Sequence, residues 1–142
     1  MDVLEEISAW ASSAYRQGRL LSGIIYLHNI SRKSNWDTRD IKIFHNLCGL
    51  RALQNVLLTT TKWSNVNQRE GERREEILQD YELWGGLINK GTTVRRFMGT
   101  RESGLELIDQ LMKKEPIPLL IQRQIVDENM ALEETDAGQC ID

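Results

Sequence analysis

Two near-continuous apolar runs constrain this chain more than any other feature. The first is Leu21-Ser22-Gly23-Ile24-Ile25-Tyr26-Leu27-His28-Asn29-Ile30, and the second is Asn55-Val56-Leu57-Leu58-Thr59-Thr60-Thr61. Half-exposed strands alternate apolar and polar side chains, whereas strands covered on both faces lose that alternation. Both runs therefore predict buried strands. The crossover between them is about two dozen residues, too long for a hairpin and long enough for a helix. Asp37 or Thr38 can cap that helix, Ile41, Phe44, Leu47 and Cys48 give it an apolar face, and Gly49 stands just past its end. Such a strand–helix–strand unit is parallel and right-handed.

The remaining chain alternates in the same way. From Asp2 to Gln17, Val3, Leu4, Ile7, Trp10, Ala11 and Ala14 recur at helical spacing, and Gly18 can close the helix. An apolar face this close to the first residue leads to the expectation that sequence once preceded it. Ser31 to Trp36 reads as polar loop. Gln68 to Glu76 is almost all charge, with opposite signs three and four apart, as on a solvated helix. Tyr81, Leu83, Trp84, Leu87 and Ile88 continue in helical spacing up to Gly91. Thr92 to Met98 is a shorter strand interrupted by Arg95 and Arg96, which places it at a sheet edge. Arg101 to Lys113 follows as a helix with Thr100 as N-cap and Leu105, Ile108, Leu111 and Met112 inward. Pro116 and Pro118 interrupt the chain. Leu120, Ile121, Ile125, Met130 and Leu132 form a weaker stripe, and Glu133 to Asp142 reads as a loose acidic tail. The expected division is 1–114 as one α/β unit and 115–142 as a carboxyl-terminal helix and tail.

Composition narrows the functional classes. The 142 residues suit one domain, and a net charge of -3 argues against general nucleic-acid binding, which needs a basic surface. Cys48 and Cys140 have no metal-ligand spacing and read as reduced thiols. No apolar run reaches the length of a membrane span, and the acidic amino terminus is unlike a signal peptide, so a soluble cytoplasmic protein is expected. His28 and His45 belong to no Ser-His-Asp or Cys-His arrangement, so no catalytic or metal residue is singled out. Trp10 and Trp84 suit helix cores. Trp36 and Trp63 fall on loops at strand carboxyl ends, where they can line a cleft or pack against neighbouring loops.

Ligands of open α/β sheets bind at the carboxyl ends of the strands. Here the second run hands over to Thr61-Lys62-Trp63-Ser64, and the third strand hands over to Gly99-Thr100-Arg101-Glu102-Ser103. Taken alone, the first is the end of a strand with a solvated lysine, and the second is an ordinary helix start.

Several blocks in order carry a family likeness. They are Leu21 to His28, Leu47-Cys48-Gly49, Ala52 to Thr61, Glu70 to Glu76, Thr100-Arg101-Glu102-Ser103, Ile121-Gln122-Arg123, Val126-Asp127-Glu128 and Ala137-Gly138-Gln139. Together they resemble fungal P-loop GTPase-like proteins, loosely related to septin-type G domains. The resemblance implies a partial P-loop NTPase-like three-layer sandwich, with a short, mostly parallel sheet of about three strands between flanking helices. It also implies that the chain is the carboxyl half of a G domain, because Gly-x-x-x-x-Gly-Lys-Ser/Thr and the Asp-x-x-Gly switch are both missing. In such a domain Thr61, Lys62, Trp63 and Ser64 stand at the guanine-reading motif, and Gly99 and Thr100 at the loop that packs on the base. Ser64 replaces the acid that pairs with guanine, which removes a charge-assisted hydrogen bond. GTP is the implied ligand. Magnesium is not, since its Ser/Thr ligand belongs to the missing loop. Two expectations follow: a nucleotide-binding protein with little or no hydrolysis of its own, or a non-catalytic module that pairs with another protein or with itself.

Overall fold

The computed structural model describes residues 2–33 and 38–141. Trp36 and Asp37 lie outside the described residues, as does the Val3 side chain. The architecture is mixed α/β, a short parallel sheet flanked by several helices. Helix α1 spans Asp2–Arg16 and strand β1 Ile24–Asn29; helix α2, Thr38–Ala52, leads to strand β2, Val56–Thr61. Helix α3, Gln68–Leu78, is followed by a π-helical turn at Tyr81–Gly85, the short helix α4 at Gly86–Ile88, and strand β3 at Thr93–Arg96. Helix α5, Arg101–Met112, precedes α6, Leu120–Gln122, and the chain ends on α7, Asp136–Gln139.

The sheet order is β1-β2-β3, with both pairings parallel. Ile24 pairs with Val56 and Asn29 with Thr61 at the two ends of the first ladder. Consecutive parallel strands require a crossover each time, and α2 and the α3–α4 segment supply them. Gly18 follows α1 with a φ of 77°, as expected, whereas Gly49, expected just past the end of α2, lies inside it and kinks it with φ 80° and ψ 158°. Gly23, ahead of β1, sits against the Asn55 carbonyl and the Leu111 side chain so closely that any Cβ there would collide.

The two faces of the sheet are covered unequally. On one, Val56 and Leu58 pack with Leu47, Cys48, Leu53, Leu78, Trp84 and Leu87, and Leu119, Ile121 and Ala137 belong to the same cluster. On the other, Leu57 meets only Leu107 and Leu111 of α5, with Ile25 and Phe97 beside them. The buried polar side chain that ties the carboxyl-terminal segment to the amino terminus is Gln122. Its Nε2 donates to the Ala11 carbonyl at 2.9 Å, and its Oε1 accepts from the Leu119 amide at 2.8 Å.

Several expectations are corrected. The first run is not covered on both faces: β1 is an edge strand and Leu27 is 61% exposed. Trp10 is 63% exposed and Ile7 also faces solvent. In α1 the packed side is Leu4, Ser8, Ala11 and Ser12, where small side chains allow close approach to the Leu120–Asp127 region. In α5 the sheet side is Leu107 and Leu111, and Leu105, Ile108 and Met112 are exposed. Leu83 is not helical (φ -111°, ψ -124°), so the segment before α4 is kinked. The tail is not loose. Thr135 caps α7 by accepting from the Gly138 amide at 3.0 Å, and Gln124 clasps Asp136 through two 3.0 Å hydrogen bonds.

Trp84 is fully buried between the sheet and its helical cover. Truncating a buried aromatic leaves a cavity as well as losing its transfer energy, so Trp84→Ala is expected to cost about 3–5 kcal/mol in a urea unfolding titration.

Candidate functional site

Strand β2 ends at Thr61, and the next residue turns the chain sharply. Lys62 has φ 64° and ψ 33°, one of two left-handed non-glycine residues among those described. The turn throws Lys62 and Ser64 outward and Trp63 inward. Trp63 is 9% exposed; its Nε1 donates to Thr60 Oγ1 at 2.9 Å. The Arg96 guanidinium lies 4.2 Å from the ring centroid, and Glu75 holds that guanidinium through bonds of 2.6 and 2.8 Å. Gly71 of α3 lies against the same ring: a Cβ there would come 2.7 Å from Trp63 Cζ3. Trp63 is thus a pillar between β3 and α3, and its indole face is occupied by Arg96.

The second loop reaches the same edge. The Phe97 amide donates to the Thr60 carbonyl at 2.8 Å, which sets the chain leaving β3 beside the end of β2. Gly99 (φ 77°) and Thr100 are exposed. Thr100 caps α5 by accepting from the Ser103 amide at 3.1 Å, while Ser103 Oγ accepts from the Met98 amide at 3.1 Å. The Ser103 amide at the helix start is therefore satisfied by the Thr100 side chain. Of the expected site residues, Lys62, Ser64, Gly99 and Thr100 are exposed at one edge of the sheet; Thr61 is half-buried, and Trp63 faces the other way. Ser64 Oγ lies 3.3 Å from Asn65 Oδ1.

A concavity of about 260 Å³ lies next to this edge, at the carboxyl end of β1. His28, Arg32, Lys33, Arg73 and Arg74 line it together with apolar Ile77, Leu78 and Leu83. Arg74 Nη1 donates to the Ile30 carbonyl at 3.1 Å, joining α3 to the end of β1. Arg73 and Arg74 share Glu70, at 2.9 and 3.4 Å. Sequence reading passed over this cluster. Arg32-Lys33 stands in a polar loop and Arg73-Arg74 in a charged helix, and only the crossover geometry brings the two dipeptides together. A second cleft of about 410 Å³, between α2 and the Tyr81–Lys90 segment, is lined by Lys42, His45, Glu82 and Lys90 among others, with charges of both signs.

Burial pushes the Cys48 thiol up to about 12, which makes it inert at neutral pH; Cys140 is also free and accepts a hydrogen bond from Asn46 Nδ2 at 3.2 Å. Among the described residues no group of three or more His, Cys, Asp or Glu side chains is placed to hold a metal ion. No helix among them is long and apolar enough to cross a membrane. No family model, curated protein or solved structure matches this chain.

His28 is half-buried against Trp84, ring centroids 5.7 Å apart, and burial lowers its pKa below the ordinary 6.5. The unfolded chain therefore binds a proton here at higher pH than the folded chain does. His28 imposes no penalty well above pH 6.5, and stability falls as the pH drops through the unfolded value towards the lower folded one. Chemical denaturation midpoints measured between pH 8 and pH 5 should decline in the native chain. The His28→Gln variant should flatten that decline.

Proposed function

We propose that this chain is a nucleotide-binding module that holds the base side of a purine nucleotide, GTP in the first instance, at the carboxyl edge of its sheet. The observation that carries the reading is Lys62. A lysine in left-handed backbone costs conformational energy, and such residues cluster where a side chain has to be aimed. Here the strained residue stands at the end of the most buried strand, exposed, beside Ser64 and across from Gly99 and Thr100. In the arrangement implied by the resemblance, the lysine stem lies along the purine and Ser64 faces the guanine edge. A serine hydroxyl gives one neutral hydrogen bond where a carboxylate gives a charge-assisted pair, so guanine binds weakly. Hydrolysis is not assigned to this chain, which carries no Gly-Lys-Ser/Thr loop.

Calorimetric titration of the chain with GTP tests the reading. Weak saturable binding is expected, tightened by about tenfold in Ser64→Asp, the gain of one charge-assisted hydrogen bond. Absence of heat from both proteins at high micromolar concentration would sink it, as would unchanged affinity in the variant.

A second reading, a non-catalytic interaction module, is favoured by α5. Leu105, Ile108 and Met112 are each more than half exposed and follow one another at spacings of three and four, which lines them up on one helix flank. Contiguous apolar surface of this kind marks association sites. Light scattering coupled to size exclusion should show self-association that Ile108→Glu abolishes; a monomer at all concentrations would count against self-pairing through this flank.

A further inference from the structure

We propose that the cleft at the carboxyl end of β1 is an anion site for a small organic phosphate whose body is apolar. Nothing in the nucleotide reading uses this cleft, and the two share no residue.

Charge makes the first part of the case. Arg32 and Lys33 approach from the loop after β1, and Arg73 and Arg74 from α3. Their only carboxylate partner among the described residues is Glu70, which serves both Arg73 and Arg74. Four cations against one acid leave a local surplus of positive charge in a chain whose net charge is -3. Side chains of one sign bordering a low-dielectric wall focus the field on the space between them. Arg74 is anchored on the Ile30 carbonyl, so part of the cationic rim is fixed in place by the fold.

Donor geometry distinguishes phosphate from carboxylate. One guanidinium fork satisfies a carboxylate, whereas a phosphate monoester offers three acceptor oxygens and up to two charges. Cations arriving from two separate elements fit the second better. The rest of the lining is apolar Ile77, Leu78 and Leu83, with half-buried His28, whose burial disfavours the charged form. At about 260 Å³ the cleft lies just below the range of drug-sized pockets, which suits a small phosphomonoester better than a nucleoside triphosphate.

The test uses the full chain with phenyl phosphate as the probe, followed by calorimetry and by NMR of the His28 ring. Phenyl phosphate should bind saturably at millimolar or lower concentration and shift the His28 resonances. It should bind about tenfold more tightly than inorganic phosphate or glycerol 3-phosphate, which lack the apolar body. The Arg32 and Lys33 side chains are exposed, so the Arg32→Ala/Lys33→Ala double variant should keep its thermal midpoint and lose at least about tenfold in affinity. Ser64→Asp should leave phenyl phosphate binding unchanged, which separates this site from the nucleotide edge. The proposal is overturned by an absence of saturation at about 10 mM. Equal affinity for inorganic phosphate, or unchanged affinity in the double variant, would overturn it too.

Discussion

Everything in this molecule depends on β2 having no solvent. Val56 to Thr60 are all fully buried, and the strand has a parallel neighbour on each side. A strand in that position must satisfy every polar group within the protein. The apolar half, Val56 to Leu58, raises no difficulty because its ladder takes the backbone. The threonine half does, and its hydroxyls answer locally. Thr59 Oγ1 donates to the Leu57 carbonyl at 3.2 Å, and Thr60 Oγ1 donates to the Arg95 carbonyl at 3.4 Å while accepting from the Trp63 indole. The β-branched threonine keeps strand geometry while carrying a group that can reach a neighbouring carbonyl.

That same satisfaction sets what the carboxyl edge can do. Thr60 holds Trp63, Trp63 carries Arg96, and Arg96 is clamped by Glu75 of α3. The chain of contacts runs from the central strand through the edge strand to the crossover helix. It fixes α3 against the sheet in a way that the charged sequence of that helix does not advertise. Because the indole is committed inward, Lys62 and Ser64 are its exposed neighbours at that edge, together with Gly99 and Thr100 of the loop after β3. The left-handed turn at Lys62 separates the two directions: Trp63 enters the core while Lys62 and Ser64 stay outside.

The sheet was legible in the sequence because burial leaves a pattern. The loss of alternation in Val56 to Thr61 is what a doubly covered strand requires, and the arginines of β3 announced its edge. The same rule misled for β1. Its run of Ile24, Ile25, Tyr26 and Leu27 is as apolar as that of β2, yet Leu27 is 61% exposed. Composition reports what a strand is suited to meet and not whether the neighbour is present. Helical faces failed similarly in α1 and α5, where apolar residues outnumber the places on the packed side, so spacing alone selected Trp10 and Ile108 over Ser8 and Leu107. The ordered tail was hidden because its stability comes from polar links at long range, such as Gln124 with Asp136 and Gln122 with Ala11. Those glutamines look like surface residues until their partners are known. The exposed members of the expected edge site could be located from the strand pattern, whereas the basic cleft required the crossover to be folded first.

The failures on β1 and α5 have one physical origin. Arg95 Nε donates to Gln110 Oε1 at 2.9 Å, which fixes one flank of α5 over β3. Ile108 lies two residues earlier, roughly 160° around the helix, so it occupies the opposite flank, on the side of β1. That is the side on which Leu27 is uncovered. The excess apolar residues of the edge strand and of its covering helix therefore border the same region of one sheet face. The opposite face is covered by residues of several helices, while this one has α5 alone. Leu57 and Thr59 stay dry because α5 lies across the centre of the sheet, and the surface left over lies along β1. A sequence that keeps both elements apolar where they meet solvent is locally consistent with a covered face and globally inconsistent with this one. That mismatch, rather than any single residue, is why association through this flank is the natural competitor to ligand binding at the carboxyl edge.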